Sequence, residues 1–209
     1  MAEYNLHCFA QSGNAYKVAL PLELAGADWQ PLFVDFFKGG SRSPEYTAKN
    51  IMAEVPVLEH AGKTLSQSGV ILDYLTETLG KYAPSDKHEA LRWILWDNHK
   101  LTANMATWRF LRNFAPEKMR NPDVIGFQKA RAVGALKVLN AHLDGRDWIV
   151  GDGPTNADFS CCGYLYYPEP FGFARTEWPE IDRWLTNIQT LEGWKHPYDL
   201  MPGSPADRA

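Results

Sequence analysis

Residues 55–75 have the sequence VPVLEHAGKTLSQSGVILDYL, which predicts two paired strands followed directly by a helix. Val57–His60 and Thr64–Leu65 have strand character, and Ala61-Gly62 between them is typical of a tight hairpin turn. Ser68 is a suitable N-cap for a helix that runs to Leu79 and is closed by Gly80. The stretch therefore predicts a β-hairpin whose second strand leads into a helix.

The segment before this stretch predicts a helical crossover between two strands. Tyr4–Phe9 is a short strand, Ala15–Ala25 has helical character, and Trp29–Phe37 contains a second extended segment. A helix that crosses between parallel strands, followed by a hairpin, implies one mixed sheet with helices packed on it. Pro21 lies inside the helix, where it removes a hydrogen bond, and it predicts a kink or a shortened helix.

The strand signals disappear after a linker at Lys81–Ser85. Helix starts then follow at Asp86, at Asn121-Pro122, at Thr155 with Asp158, and at Pro179. The sequence therefore predicts an α/β domain at residues 1–80 and an all-helical domain at residues 86–209.

The composition excludes several classes of partner. The 209 residues carry a net charge of −4, which is a poor match for nucleic acid or an anionic membrane surface. No apolar run approaches the roughly 18–20 residues that a membrane span requires. Residues Met1–Asn5 lack the basic flank and apolar stretch of a signal peptide, so we expect a cytoplasmic protein.

The cysteines and histidines predict neither a disulfide framework nor a metal site. Cys8, Cys161 and Cys162 are an odd, sparse set that fits a reducing compartment, and their positions favour packing roles. The histidines are scattered, and no zinc-protease, dinucleotide or P-loop motif occurs. We therefore expect no metal ion in the functional site.

Three short segments carry candidate chemistry, and each also has a plain structural interpretation. Ser12-Gly13-Asn14 is a strand-to-helix turn whose hydroxyl, amide and N–H groups favour an anion such as a thiolate, or simply cap a helix. Pro56 opens a strand where its missing N–H is not needed, which also fits an edge strand. The helix start at Ser68 is suited to a carboxylate.

Together with Gly151-Asp152-x-x-Thr155-x-Ala157-Asp158, these segments resemble the cytosolic glutathione transferase superfamily. The Ser12 turn, Val55-Pro56-Val57-Leu58 and Gln67-Ser68-x-x-Ile71-Leu72-x-Tyr74-Leu75 occur in the family's order and at family-like spacing, over nearly the whole chain. The resemblance implies an N-terminal thioredoxin-like domain, a C-terminal helical bundle and a cis peptide bond before Pro56. It also implies glutathione as a co-substrate and a homodimeric protein.

The resemblance also implies roles for individual residues. The backbone of Val55, held by Pro56, pairs with the cysteinyl part of glutathione like an added strand. Gln67 and Ser68 hold the γ-glutamyl group. Arg42 and Glu54, with Lys38 as a looser match, lie where family members contact the glycyl end or the peptide backbone.

Two residues of the first turn are implied to be catalytic. Ser12 matches the hydroxyl of serine-type members, and Asn14 matches the amide of members that act on disulfides. The implied mechanism is activation of the glutathione thiol for attack on a small-molecule electrophile. The alternatives are glutathione-dependent reduction of a disulfide or peroxide, isomerisation of a glutathione adduct, and a non-catalytic binding module that reuses the fold.

Gln67 departs from the commoner family pattern, which has glutamate at this position. A neutral amide accepts a hydrogen bond from the ligand's ammonium but does not neutralise it. Affinity for glutathione is then lower, or a carboxylate from elsewhere compensates, and Asp97 acting across a dimer interface is one candidate. Aromatic residues on the predicted helices, among them Trp93, Trp108 and Tyr166, are candidates for the electrophile pocket, although such faces are more often core.

Overall fold

The computed structural model of this chain describes residues 2–203, which form two compact units. Residues 2–83 and 191–203 make the N-terminal unit, and residues 84–190 make the helical unit. These units are defined by packing, and the functional domains at residues 1–80 and 86–209 remain a prediction from the sequence. By packing alone, the segment 191–203 groups with the N-terminal unit rather than with the helices that precede it.

The N-terminal unit is a thioredoxin-like α/β domain built on one mixed sheet. Its elements are β1 (Tyr4–Cys8), α1 (Gly13–Leu24), β2 (Trp29–Phe33), α2 (Pro44–Lys49), β3 (Val57–His60), β4 (Lys63–Ser66) and α3 (Ser68–Thr78). The strand order is β2-β1-β3-β4, with β1 parallel to β2 and both other pairs antiparallel. This topology confirms the predicted helical crossover followed by a hairpin.

The hairpin turn between β3 and β4 forms at the predicted dipeptide. Ala61 and Gly62 have φ angles of 48° and 75°, the left-handed conformations that a two-residue turn of this type requires. His60 pairs directly with Lys63 across the turn. The strand residue Leu58 is completely buried, so the hairpin is anchored in the core of the unit.

Helix α1 continues past Pro21 and ends at Leu24, so the shortened helix that we considered is not found. Pro21 has no backbone N–H, so it does not contribute the hydrogen bond that other helix residues donate to the carbonyl four positions earlier. Val18, Leu20 and Leu22 are completely buried around the proline. Burial of these side chains offsets the missing hydrogen bond.

The segment 191–203 packs against the start of α1 and contains the short helix α9 (Pro197–Leu200). The Tyr16 hydroxyl donates a hydrogen bond to the carbonyl of Lys195 at 2.8 Å. The backbone N–H of Ala10 donates to the carbonyl of Pro202 at 2.8 Å. The segment therefore supports the turn between β1 and α1.

The helical unit consists of α4 (Lys87–Trp96), α5 (Thr102–Asn113), α6 (Pro122–His142), α7 (Asn156–Cys162) and α8 (Pro179–Gln189). A π-helical turn at Asp97–Leu101 joins α4 to α5, so the helical segment that starts after Asp86 continues to Asn113. Asn121 caps α6, as predicted, by accepting a hydrogen bond from the N–H of Asp123 at 2.8 Å. No helix within residues 2–203 has both the length and the apolar character needed to cross a bilayer.

Helix α7 begins with the predicted capping box of Thr155 and Asp158. The buried Asp158 carboxylate accepts hydrogen bonds from Thr155 N at 2.8 Å, from Ile149 N at 2.9 Å and from the indole of Trp184 at 2.9 Å. One carboxylate therefore fixes the start of α7, the loop before it and helix α8.

Candidate functional site

Ser12 lies at the N-cap of α1, directly after the turn that follows β1. Its backbone is extended, and its hydroxyl oxygen accepts a hydrogen bond from the backbone N–H of Ala15 at 3.1 Å. Only 6% of the residue is exposed. A hydroxyl both accepts and donates, and among the described residues the Ser12 hydroxyl hydrogen has no acceptor. That hydrogen is therefore available to a ligand.

The first turn of α1 presents further donors beside Ser12. The backbone N–H groups of Gly13 and Asn14 make no hydrogen bond within residues 2–203. Free N–H groups at a helix N-terminus stabilise negative charge. Together with the Ser12 hydroxyl they make this turn suitable for a small anion such as a thiolate.

Asn14 offers a different chemistry from Ser12. It is the second residue of α1, and its Oδ1 is buried without a hydrogen-bond partner in the part of the chain that the structure describes. A buried carbonyl without a partner destabilises a protein by about 1–3 kcal/mol, which an N–H group of a ligand would relieve. The geometry thus presents Asn14 as an acceptor, whereas the resemblance implies a donor to sulfur.

The Val55–Pro56 peptide bond is cis, as the resemblance implies. The loop before it is held in place because the Tyr46 hydroxyl and the Asn50 side-chain amide donate to the carbonyl of Glu54 at 2.9 and 2.8 Å. The backbone N–H and C=O of Val55 make no hydrogen bond among the described residues. An extended peptide ligand is therefore able to pair with Val55 as an added strand.

Ser68 is the first residue of α3 and not its N-cap, so the sequence prediction was wrong at this point. Gln67 occupies the N-cap position with a φ angle of 68°, and no side chain caps the helix. A left-handed residue other than glycine costs about 1–2 kcal/mol, so the surrounding structure must impose this conformation. The Ser68 hydroxyl lies at the helix start with no hydrogen bond inside the described chain, which suits a ligand carboxylate.

Glu54 and Gln67 are in direct contact. Nε2 of Gln67 donates to Oε2 of Glu54 at 2.9 Å, and it also lies 3.1 Å from the sulfur of Met52. Both partners of Nε2 are acceptors, and Oε1 of Gln67 has no donor among residues 2–203. The sequence interpretation did not include Met52, which no local pattern distinguishes.

Lys38 and Arg42 lie on the segment between β2 and α2. Nζ of Lys38 lies 3.2 Å from a carboxylate oxygen of Asp35, so its charge is already paired. Arg42 ends a short 3-10 turn, is exposed, and makes no ion pair within residues 2–203. Of the two, Arg42 is the better candidate for a ligand carboxylate.

Asp97 is not the compensating carboxylate. It is completely buried in the helical unit, where its two oxygens accept hydrogen bonds from the hydroxyls of Thr102 at 2.8 Å and Ser160 at 2.7 Å. A carboxylate bonded inside its own bundle does not reach another subunit. The expectation that Asp97 acts across a dimer interface is therefore wrong.

The cysteines do not supply a reactive sulfur. Burial raises the pKa of the Cys8 thiol to about 12, so the thiol stays protonated at neutral pH. Cys161 and Cys162 are also buried and form no disulfide among the described residues, which agrees with the predicted packing roles. Within the described residues no group of three or more histidine, cysteine, aspartate or glutamate side chains is arranged to hold a metal ion.

A cavity of about 310 Å³ lies beside the β1–α1 turn, lined by Phe9, Gln11, residues 33–38 and Gly203. Phe36 stacks on Phe9 with ring centroids 4.9 Å apart, and Phe37 meets Phe9 edge-on. The sequence interpretation missed this cavity because it treated residues 29–37 as an extended segment. Adjacent phenylalanines before Gly39-Gly40 were the available signal.

The helical aromatics, by contrast, are mostly core. The three candidates named for the electrophile pocket, Trp93, Trp108 and Tyr166, are each 7% exposed or less. Their rings fill the interior of the helical unit, as aromatic helix faces commonly do.

Comparison with known proteins gives matches over both units. Residues 4–77 match the family model for the glutathione S-transferase N-terminal domain, and residues 128–192 match the C-terminal domain model of the same family. A crystal structure described as a possible glutathione S-transferase from Rhodopseudomonas palustris aligns with a TM-score of 0.85 and 29% identity. The alignment covers 97% of this chain and 94% of that one.

Two relatives differ in their activities. The chain is 31% identical to the maleylacetoacetate isomerase of Pseudomonas aeruginosa, over 85% of this chain and 87% of the relative. It is 27% identical to the disulfide-bond oxidoreductase YfcG of Escherichia coli, over 87% of this chain and 88% of the relative. On the strength of both family models and the first of these relatives, the chain belongs to the glutathione S-transferase family.

Proposed function

We propose that this chain is a glutathione transferase in which Ser12 activates the glutathione thiol for attack on a small electrophile. The observation that supports the proposal is the Ser12 hydroxyl, which accepts from Ala15 at 3.1 Å and retains its hydrogen for a ligand. A thiol has a pKa of about 8.5, so lowering it by about two units requires roughly 2.7 kcal/mol of preferential stabilisation. A hydrogen bond to a charged group contributes about 1.5–3 kcal/mol, which is the right size.

In this proposal glutathione binds in an extended conformation, with its middle residue beside Val55. The free backbone groups of Val55 pair with the cysteinyl residue, and the hydroxyl of Ser68 with the N–H groups of α3 binds the γ-glutamyl carboxylate. The exposed Arg42 is the candidate for the glycyl carboxylate. This placement extends the peptide from the start of α3 towards the segment before α2.

In the chemical step the sulfur loses its proton to solvent and is held as a thiolate by Ser12 and the first turn of α1. The thiolate attacks an electrophilic carbon, so that a carbon–sulfur bond forms and the leaving group departs with its electron pair. The aromatic cavity around Phe9, Phe36 and Phe37 favours an electrophile with an apolar group.

Disulfide reduction is the second candidate, and the likeness to the disulfide-bond oxidoreductase YfcG favours it. In that reaction the glutathione thiolate attacks one sulfur of a disulfide, a new sulfur–sulfur bond forms, and the other sulfur leaves as a thiolate. A second glutathione then resolves the mixed disulfide. All three protein cysteines are buried, so glutathione would supply both attacking sulfurs.

Turnover of a panel of substrates with glutathione tests the proposal. The panel contains a chlorinated nitrobenzene, a glutathione mixed disulfide and a hydroperoxide, and the Ser12→Ala variant is the matched control. A transferase turns over the first substrate fastest and loses that rate in the variant. Preferential turnover of the disulfide favours disulfide reduction. If no substrate of the panel is turned over, the interpretation as a non-catalytic binding module is favoured.

We also propose a cytoplasmic homodimer. Large apolar side chains stay exposed on two helices of the helical unit, among them Leu91 and Leu95 on α4 and Phe127 and Val138 on α6. Such patches mark protein interaction surfaces. Among the described residues the three cysteines form no disulfide, which fits a reducing compartment. Sedimentation that shows only a 23.6 kDa species at micromolar concentration would refute the dimer.

A further inference from the structure

The γ-glutamyl ammonium of glutathione carries a positive charge that the neutral amide of Gln67 does not balance. Two other carboxylates, those of Asp97 and Glu59, already have partners within the chain. The oxygens of Asp97 are held by Thr102 and Ser160 inside the helical unit. Glu59 lies 2.5 Å from the ammonium of Lys49 and 3.1 Å from the ring of His7.

Glu54 is the acid that contacts Gln67. Its Oε2 accepts from the Gln67 amide at 2.9 Å, and its Oε1 has no donor among residues 2–203. The Gln67 amide is oriented by Glu54 and by the sulfur of Met52, which leaves Oε1 of Gln67 without a donor as well. Two acceptor oxygens, one of them negatively charged, therefore lie on neighbouring side chains at the start of α3.

We infer that Glu54 is the counter-ion of the γ-glutamyl ammonium, with Gln67 as the second acceptor. The inference rests on the proposed function, because it assumes that glutathione binds at Val55 and Ser68. It moves Glu54 from the glycyl end or peptide backbone, where the resemblance placed it, to the opposite end of the ligand. The site then selects γ-glutamyl peptides whose α-amino group is free and charged, and it discriminates against deaminated or acylated ones.

The charge balance supports this assignment. A γ-glutamyl group carries one ammonium and one carboxylate, so a site for both needs one anion and one set of donors. Glu54 supplies the anion, and the free hydroxyl of Ser68 with the N–H groups at the start of α3 supplies the donors. The commoner glutamate at position 67 would carry this negative charge itself. Here the charge resides thirteen residues earlier, on the side chain that Gln67 contacts.

Calorimetric titration with two ligands tests the inference. The ligands are glutathione and its deaminated analogue, in which hydrogen replaces the α-amino group. Glu54→Gln is nearly isosteric and still accepts from Gln67, so it removes only the charge. We expect it to weaken glutathione binding about five- to tenfold, which is the difference between a hydrogen bond to a charged acceptor and one to a neutral acceptor, and to change the analogue's affinity less than about twofold.

Two further variants complete the design. Glu77→Gln removes an exposed carboxylate from the distant part of α3 and should change neither affinity. Gln67→Glu in the Glu54→Gln background returns a negative charge to the same place and should restore the affinity for glutathione. This rescue separates loss of charge from loss of folding.

The inference is overturned if Glu54→Gln leaves glutathione affinity unchanged, or weakens both ligands equally without rescue by Gln67→Glu. If the unaltered chain binds glutathione but binds the deaminated analogue equally well, this inference fails and the proposed function stands. If the unaltered chain binds neither ligand, the proposed function fails with it.

Discussion

The hydroxyl oxygen of Ser12 accepts the backbone N–H of Ala15 at 3.1 Å, so one side chain both caps α1 and keeps its hydrogen for a ligand. The cap stabilises the helix by about 1 kcal/mol. It also holds the hydroxyl beside the free N–H groups of Gly13 and Asn14. The helix cap and the proposed hydrogen bond to the ligand therefore depend on the same hydroxyl at Ser12. A variant that tests the ligand bond has to be compared with one that keeps the hydroxyl.

Ser68 allows such a separation at the other helix start. Because the structure makes Ser68 the first residue of α3 and not its N-cap, Ser68→Ala removes no cap. We expect glutathione to bind about tenfold more weakly, since a hydrogen bond to a charged carboxylate is lost, while thermal stability stays within the error of the unaltered chain. Calorimetry and thermal unfolding measure the two quantities. Unchanged affinity would place the γ-glutamyl carboxylate elsewhere.

The thiols are expected to be unreactive in the folded protein. Cys8, Cys161 and Cys162 are buried, and the raised pKa of Cys8 keeps it protonated. An aromatic disulfide reagent should therefore titrate no thiol in the native protein and all three cysteines after denaturation in guanidinium. Cys8→Ala should retain glutathione-dependent turnover. Rapid modification of a native thiol, with loss of activity, would return a protein cysteine to the mechanism.

Asp158 should be the most sensitive carboxylate for folding. Asp158→Ala leaves the buried N–H groups of Ile149 and Thr155 and the indole N–H of Trp184 without their acceptor. Each unpaired buried donor costs about 1–3 kcal/mol, so we expect urea denaturation to report a loss of about 3–5 kcal/mol. The exposed Asp152, in the same motif, serves as the control, and Asp152→Ala should change stability little. A loss below about 1 kcal/mol for Asp158→Ala would contradict its joining role.

Glu59 should make part of the stability depend on pH. The hydrogen bond from Lys49, and then that from His7, holds the pKa of Glu59 below its usual value although burial acts the other way. A carboxylate whose folded pKa is lowered stabilises the protein above its unfolded pKa and loses that effect as pH falls through the folded pKa. Glu59→Gln should therefore be less stable than the unaltered chain at pH 7, by up to about 1 kcal/mol, and equally stable near pH 3. Urea denaturation at both pH values measures this, and a difference that persists at low pH would exclude the linkage.

Local sequence patterns were sufficient to predict much of the fold. The Ala61-Gly62 turn, the Asn121 cap and the Thr155–Asp158 capping box each depend on residues within a few positions of one another. Propensity failed at Ser68 because the left-handed φ of Gln67 is unfavourable locally and is imposed by the packing around it. No local rule assigns an N-cap to a glutamine in that conformation.

Non-local contacts account for the remaining differences. Glu54 and Gln67 meet only because β3 and β4 fold back as a hairpin between them. Asp97 was named only as a carboxylate that could compensate for the neutral Gln67, but its oxygens accept from Thr102 and Ser160 inside the helical unit, at the start of a π-helical turn. The packing of residues 191–203 on the start of α1 has no sequence signal that we could identify.

The pKa of the thiol of bound glutathione tests the central claim most directly. It is measured from thiolate absorbance as pH is varied, in the unaltered chain and in Ser12→Ala, Ser12→Thr and Asn14→Ala. We expect a pKa about two units below that of a free thiol in the unaltered chain, a rise of about one to two units in Ser12→Ala, and little change in Ser12→Thr, which keeps a hydroxyl. Asn14→Ala should raise the pKa less than Ser12→Ala does. An unchanged pKa in Ser12→Ala would contradict the account, because the thiolate would then be held by backbone N–H groups alone.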